Sequence, residues 1–425
     1  MMARGRSHGL SRGRALCPVL AAVIAASVLG GCAGRSSERA ELTMWLVGSE
    51  AQARTINQLA ESFTQRTGIR VRCEAVAWGE AHSKYLTAVA GNVEPDIGTT
   101  GLTWGAEFGR LGALIDLREA YPEDVAAIQR KTFPGLWESI EQDGRVYGIP
   151  LDVSVQVLYY RTDLIDEAPE TWAELTALLE ELRQQDRRML FDWGSLSWIG
   201  YAPFLWQAGG AFYDSDGARG TLNAPAAVES LKMFRDLYTR YGVPKTSVPM
   251  EQGLRTGEFP LAVSGNWKIV SLTVGVPEIA GRWSIGLLPK GPSGRRTAFL
   301  GGRIMGIFAT SPHRREAWEF VRFLFEPESQ ATLYKASLDT QDAYLPPNLA
   351  AWDELPMDPA FRAVLKTQAQ DAKGPPAVPG WDSTTRHIET AIQRVILHGA
   401  DPAVELATAN AAMTEALTEA ASQGG

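Results

Sequence analysis

Thirteen tryptophans stand out among the 425 residues, because each indole offers a flat apolar face and one N–H donor. Four of them, Trp78, Trp104, Trp267 and Trp381, lie beside expected loops or glycine and proline breaks, where the wall of a cleft would form. Trp45, Trp172 and Trp318 fall in periodic apolar patterns instead and are assigned to the core. Flat apolar faces suit stacking against apolar ligand surfaces, and each N–H offers one polar contact. No His-Glu-x-x-His or phosphate-binding loop is present. The five histidines are never paired at i,i+4 and none lies near Cys73, so no metal or other cofactor is expected.

Arg4, Arg6, Arg12 and Arg14 precede an apolar run from Ala15 to Leu29 without one acidic residue. The run is too short for a stable membrane span, and residues 1–31 read as a secretory signal peptide. Leu29-Gly30-Gly31-Cys32 resembles the bacterial lipobox, which implies cleavage ahead of Cys32 and its acylation. Residues 32–41 would then be a polar tether. The body of the protein is expected outside the cytoplasm, periplasmic or on the cell surface, held to the membrane by lipid.

With 45% hydrophobic and 21% charged residues, the chain has the composition of a core-forming protein. About 390 residues remain after processing, more than one core comfortably holds, so two domains are expected. The net charge of −8 becomes more negative once the leader's arginines are gone, which argues against nucleic acid and against charge-driven binding to anionic lipid. Of three cysteines, processing leaves Cys32 and Cys73. No disulfide framework is possible within the chain, and Cys73, in the alternating stretch Ile69–Val76, reads as a small core residue.

These side chains need elements to position them. Glu41–Val47 reads as a strand, Ala51–Arg66 as a helix stopped by Gly68, Ile69–Val76 as a second strand, Glu80–Ala90 as a second helix and Asp96–Thr100 as a third strand. Strand and helix in alternation imply a parallel sheet. Ligands of such sheets lie beyond the carboxyl ends of the strands, here the loops carrying Glu50, Trp78 and Trp104. Further on, Trp172–Arg183, Ala224–Tyr241, Pro249–Phe259 and His313–Phe325 read as helices, Leu261–Ser264 and Ala298–Phe308 as strands. Phe191–Tyr213 is aromatic-rich and less regular, and Thr384–Ala421 is helical with a break near Gly399–Pro402.

Taken in order, several segments resemble the extracellular solute-binding proteins of ATP-binding-cassette importers, in the sugar-binding, maltose-binding-protein-like branch. They are Leu42-Thr43-Met44-Trp45, Thr67-Gly68-Ile69-Arg70-Val71, Pro95-Asp96-Ile97, Gly112-Ala113-Leu114-Ile115-Asp116-Leu117, Tyr147-Gly148-Ile149-Pro150, Tyr159-Tyr160-Arg161-Thr162-Asp163-Leu164, Thr171-Trp172-Ala173-Glu174-Leu175, Gly265-Asn266-Trp267, Gly301-Gly302 and Ala317–Leu324. The resemblance implies an α/β, two-lobe fold of the type II periplasmic-binding-protein kind, with a ligand cleft between lobes joined by three hinge crossings. The crossings are placed near Leu151–Ser154, Leu300–Gly302 and Leu345–Pro347. One lobe would hold residues 42–150 and 303–345, the other 151–302 and 346–425.

The resemblance further implies a monomer that is not an enzyme, with a carbohydrate ligand and the importer's membrane permease as partners. Trp267 is then the leading stacking platform. Glu50, Asp152, Ser154, Asn266 and Arg303 are the expected polar rim, and Gly302 would let the backbone approach the ligand. Asp152 could equally cap a turn, Glu50 a helix start, and Arg303 could pair with a carboxylate of the other lobe. Two further readings stay open. The same fold could bind a glycerophosphodiester, a phosphorylated sugar or a polyamine, or the cleft could belong to a lipid-anchored glycoside hydrolase with two carboxylates across the scissile bond.

Overall fold

Leu42, Met44, Leu46 and Val47 are buried along the first strand, and the sheet grows outward from it. In the computed structural model, residues 40–340, 343, 345–378 and 380–423 are described; the expected signal peptide and Cys32 lie outside them. The folded unit begins at Glu41. Its strands are β1 Glu41–Val47, β2 Arg70–Val76, β3 Ile97–Gly101, β4 Glu141–Gln142, β5 Arg145–Val146, β6 Ile149–Arg161, β7 Met189–Phe191, β8 Leu261–Gly265, β9 Trp283–Gly286, β10 Ala298–Ile307 and β11 Ala372–Lys373. One sheet runs β2-β1-β3-β10-β6-β8-β7, with β11 on β10 and β9 on β6, and β4 and β5 pair by themselves.

Local signals place the first helix, Glu50–Thr67. Ser49 and Gln52 form a reciprocal capping box, and Gly68 ends the helix in the left-handed region at φ 80°. Ala53, Ile56, Leu59, Ala60 and Phe63 face the core, where Phe63 meets Phe320 and Phe323 of the helix Arg314–Phe325. On the other face of the sheet, Tyr85, Phe108 and Phe308 form a second cluster. Cys73 is buried, and burial pushes its thiol up to about 12, so it is an inert core residue.

The sheet is mixed rather than parallel. β1 is parallel to β2 and β3, but β10 is antiparallel to both β3 and β6. Trp78 and Trp104, expected in loops, open the helices Trp78–Gly91 and Trp104–Arg110. The aromatic stretch contains the helix Trp198–Gln207, with Pro203 inside it. That helix is apolar all round, so it lacks the one-sided pattern by which helices are recognised.

β6 and β10 lie in the middle of the sheet and join its two halves. Residues 149–155 of β6 pair with β10, whereas residues 156–161 pair with β8 and β9. Val153 sits opposite Gly302 and also exchanges two backbone hydrogen bonds with Leu345, each 2.9 Å. The three segments named as crossings thus lie side by side. At Gly302, with φ 150°, a Cβ would stand 2.3 Å from the carbonyl oxygen of Asp152. Gly302→Ala should therefore cost about 1–3 kcal/mol of unfolding free energy in urea titrations. Gly79→Ala, where a Cβ meets nothing within 4 Å, should cost nothing.

Candidate functional site

The pairing of β6 with β10 brings Asp152 opposite Arg303, where the register shifts by a bulge. Both side chains are buried, 9% and 5% exposed. Asp152 Oδ1 accepts the Arg303 backbone N–H at 3.0 Å and Oδ2 accepts its Nε–H at 2.7 Å; Nη2 also bonds Asp152. Arg303 Nη1 donates to the Val47 carbonyl at the end of β1, 2.7 Å, and to Gln52 Oε1, 3.0 Å. One guanidinium so joins β1, the capping box of the first helix, β6 and β10.

Two tryptophan pairs flank this stretch of β10. Trp78 and Trp104 meet edge to face, centroids 5.9 Å apart, and Trp104 is backed by the His82 ring at 5.1 Å. His82 Nε2 lies 2.8 Å from Glu107 Oε2, tying the two helices together. A Cβ on Gly101 would be 3.7 Å from both indoles, and Gly101 pairs with Arg303. On the other side, Trp193 and Trp267 meet at 4.8 Å and 67°, with Phe299 5.1 Å from Trp193. A Cβ on Gly301 would be 3.3 Å from Trp193. The two pairs therefore address positions 301 and 303, about 7 Å apart along the strand.

Glycine is required where Trp267 folds back. A Cβ on Gly265 would stand 2.0 Å from the indole, so the Gly265-Asn266-Trp267 sequence lets the ring lie over the end of β8. Asn266 itself is a clamp. Its Oδ1 accepts the Val155 N–H at 3.0 Å and its Nδ2 donates to the Ala343 carbonyl at 2.8 Å, which ties β6 to the segment before Leu345.

Several expected rim residues thus serve the frame. Asp152 and Arg303 face each other rather than an open cleft, because two opposite buried charges on adjacent strands satisfy one another. Glu50 is exposed at the first turn of its helix, the place favoured for an acidic side chain. Ser154 is buried opposite Gly301. Trp381 is 2% exposed and packs edge to face against Trp198 and Phe212, 4.9 and 5.1 Å away, so it presents no face to solvent. Trp78, Trp104 and Trp267 retain accessible surface.

Sequence reasoning missed Trp193 and Trp198, although the aromatic density around Phe191 was visible. It also missed the charges beside the second pair. Lys268 Nζ lies 2.8 Å from Glu251 Oε1 and 3.3 Å from Asp192 Oδ1. Burial works to lower the Lys268 pKa, but these carboxylates outweigh it and hold the ammonium above its ordinary value. Among the described residues no three His, Cys, Asp or Glu side chains converge on a metal position.

If the Asp152–Arg303 pair is structural, Asp152→Ala should destabilise by about 3 kcal/mol or more, through the buried guanidinium left unpaired. Asp152→Leu with Arg303→Met should recover most of that loss. Urea unfolding of the three proteins checks it, and a single variant as stable as the parent would contradict it.

A family model described as bacterial extracellular solute-binding protein matches residues 58–363. A protein of Brucella abortus (strain 2308) named as a binding protein is 24% identical over 366 residues, 80% of this chain and 83% of its own. One of Deinococcus radiodurans, named as an ABC transporter-binding protein, is 26% identical over 319 residues, 65% of this chain and 73% of its own. The sugar-binding protein MalE from Xanthomonas citri superposes with a TM-score of 0.79 at 23% identity, over 89% of this chain and 98% of that one. The GacH receptor of Streptomyces glaucescens GLA.O, solved unliganded and with acarbose, gives 0.75 at 22%, over 90% and 99%. The fold of this chain is the two-lobe α/β fold of those proteins.

Proposed function

The chain belongs to the bacterial extracellular solute-binding proteins, and we propose that it captures a neutral carbohydrate outside the cytoplasm and delivers it to the permease of an ATP-binding-cassette importer. The observation that carries this reading is the pair of indole walls on either side of a strand whose own charges cancel. Indole faces stack on the C–H faces of sugar rings, while backbone groups and hydroxyls meet the rim. The names of the relatives agree: an ABC transporter-binding protein, a sugar-binding protein and a receptor solved with acarbose.

The two other solute classes lose their support. Arg303, the one cation among the expected rim residues, bonds Asp152, Val47 and Gln52 rather than standing ready for a phosphate. Asp152, one of the two acids among the expected rim residues, is neutralised by Arg303, which leaves it no charge to offer a polyamine. We read the chain as a binder rather than a hydrolase, because the indole walls supply recognition and the expected rim carboxylates serve the frame.

In this reading residues 42–150 with 303–345 close against 151–302 with 346–425, and the solute lowers the closed state by touching both. The protein acts as a monomer, exported by residues 1–31 and anchored through acylated Cys32 on the tether 32–41. A thermal-shift screen of the chain lacking residues 1–32 tests the ligand class. A neutral mono- or oligosaccharide at a hundred times its dissociation constant should add about 2.7 kcal/mol. Glycerophosphodiesters and polyamines should leave the midpoint unchanged, and incubation with oligosaccharides should yield no new reducing ends. A shift with a polyamine or phosphodiester alone would overturn the assignment.

A further inference from the structure

Asp192 immediately precedes Trp193, and Lys268 immediately follows Trp267. The pairing of β7 with β8 ends at Phe191 and Val263, and one further backbone bond, Asp192 N–H to the Val263 carbonyl at 3.0 Å, extends it. Beyond that point the two indoles stand on a loop and at the N-cap of the helix Lys268–Gly275. The Lys268–Asp192 contact crosses the gap between them at 3.3 Å.

Each end of that contact is anchored. Asp192 Oδ2 accepts the Ser264 hydroxyl at 2.7 Å, which fixes the carboxylate to β8. Lys268 Nζ donates to Glu251 Oε1 at 2.8 Å, and the Ser271 hydroxyl donates to the same oxygen at 2.9 Å. The Trp193 carbonyl accepts from Gln156 Nε2 at 3.2 Å. Asp192 and Lys268 side chains are each 16% exposed and Glu251 28%, shielded enough for charge-assisted bonds to hold a geometry that an edge-to-face contact alone holds weakly.

We propose that Asp192, Lys268 and Glu251 form an ionic clasp that sets the angle between Trp193 and Trp267, making them positioning residues for the ligand platform. The ligand half of this proposal rests on the carbohydrate reading above; the geometric half does not. The clasp sets one ammonium between two carboxylates, so it leaves a single net negative charge beside the second indole pair.

The indole pair itself supplies the readout, since two rings at 4.8 Å couple their transitions, and the part of the circular-dichroism couplet that Trp193→Phe or Trp267→Phe removes reports this pair apart from Trp78–Trp104 and Trp198–Trp381. In the purified protein, Lys268→Met and Asp192→Asn should each reduce that couplet at least twofold while unfolding stays cooperative. Lys268→Arg, which keeps the charge and reaches both carboxylates, should restore it. If Lys268→Met does not fold, Glu251→Gln gives the same reading from the far end of the clasp. With the sugar that gives the largest thermal shift, Lys268→Met should weaken binding about tenfold and Lys268→Arg should not. An unchanged couplet in Lys268→Met and Asp192→Asn would overturn the clasp. A lost couplet with unchanged affinity would overturn its role in the platform. Absence of any sugar binding by the parent would refute the carbohydrate reading and the platform role, while the couplet still decides the clasp.

Discussion

A buried ion pair holds the centre of this molecule. Asp152 and Arg303 face each other across β6 and β10, the two middle strands that join the halves of the sheet, and Arg303 extends the contact to the end of β1 and the first helix. Such a pair adds little over a well-packed apolar replacement, but losing one member leaves a charge with no water around it. Strand register, the bulge, Gly302 and the start of the first helix are therefore coupled. Beside the pair, Val153 binds Leu345 and Asn266 binds Ala343, so the third chain segment is tied to the same place.

The pair also shapes the chemistry around it. A self-cancelled charge between two indole walls favours a neutral solute with apolar faces over an ion. Each wall has its own support: the His82–Glu107 bond behind Trp104, and the Asp192–Lys268–Glu251 chain beside Trp193 and Trp267. A solute touching one wall alone would not shift an equilibrium between open and closed states, because only differential contact does so. With the lobe boundaries proposed above, Trp78 and Trp104 fall on one lobe and Trp193 and Trp267 on the other, as the proposed transport cycle requires.

Much of this was legible in the sequence, for physical reasons that can be named. Gly68 marks the end of the first helix by capping chemistry, and the spacing of Ile56, Leu59, Ala60 and Phe63 marks its buried face. Gly265-Asn266-Trp267 singled out Trp267 by its family pattern, while the need for a Cβ-free neighbour shows only in the folded chain. Pairing across long separations was not legible. Asp152 and Arg303, separated by 151 positions, look like rim groups until a bulge places them together. Trp193 and Trp198 sit in an aromatic run with no one-sided period, and Trp381, beside a glycine break, is buried by Trp198 and Phe212.

The central claim is that a solute bound between the two indole walls closes the lobes. Small-angle scattering of the protein with and without a saturating concentration of the best-stabilising sugar tests it most directly. A smaller radius of gyration in the bound state is the expected result. Saturated binding with an unchanged scattering profile would contradict the account.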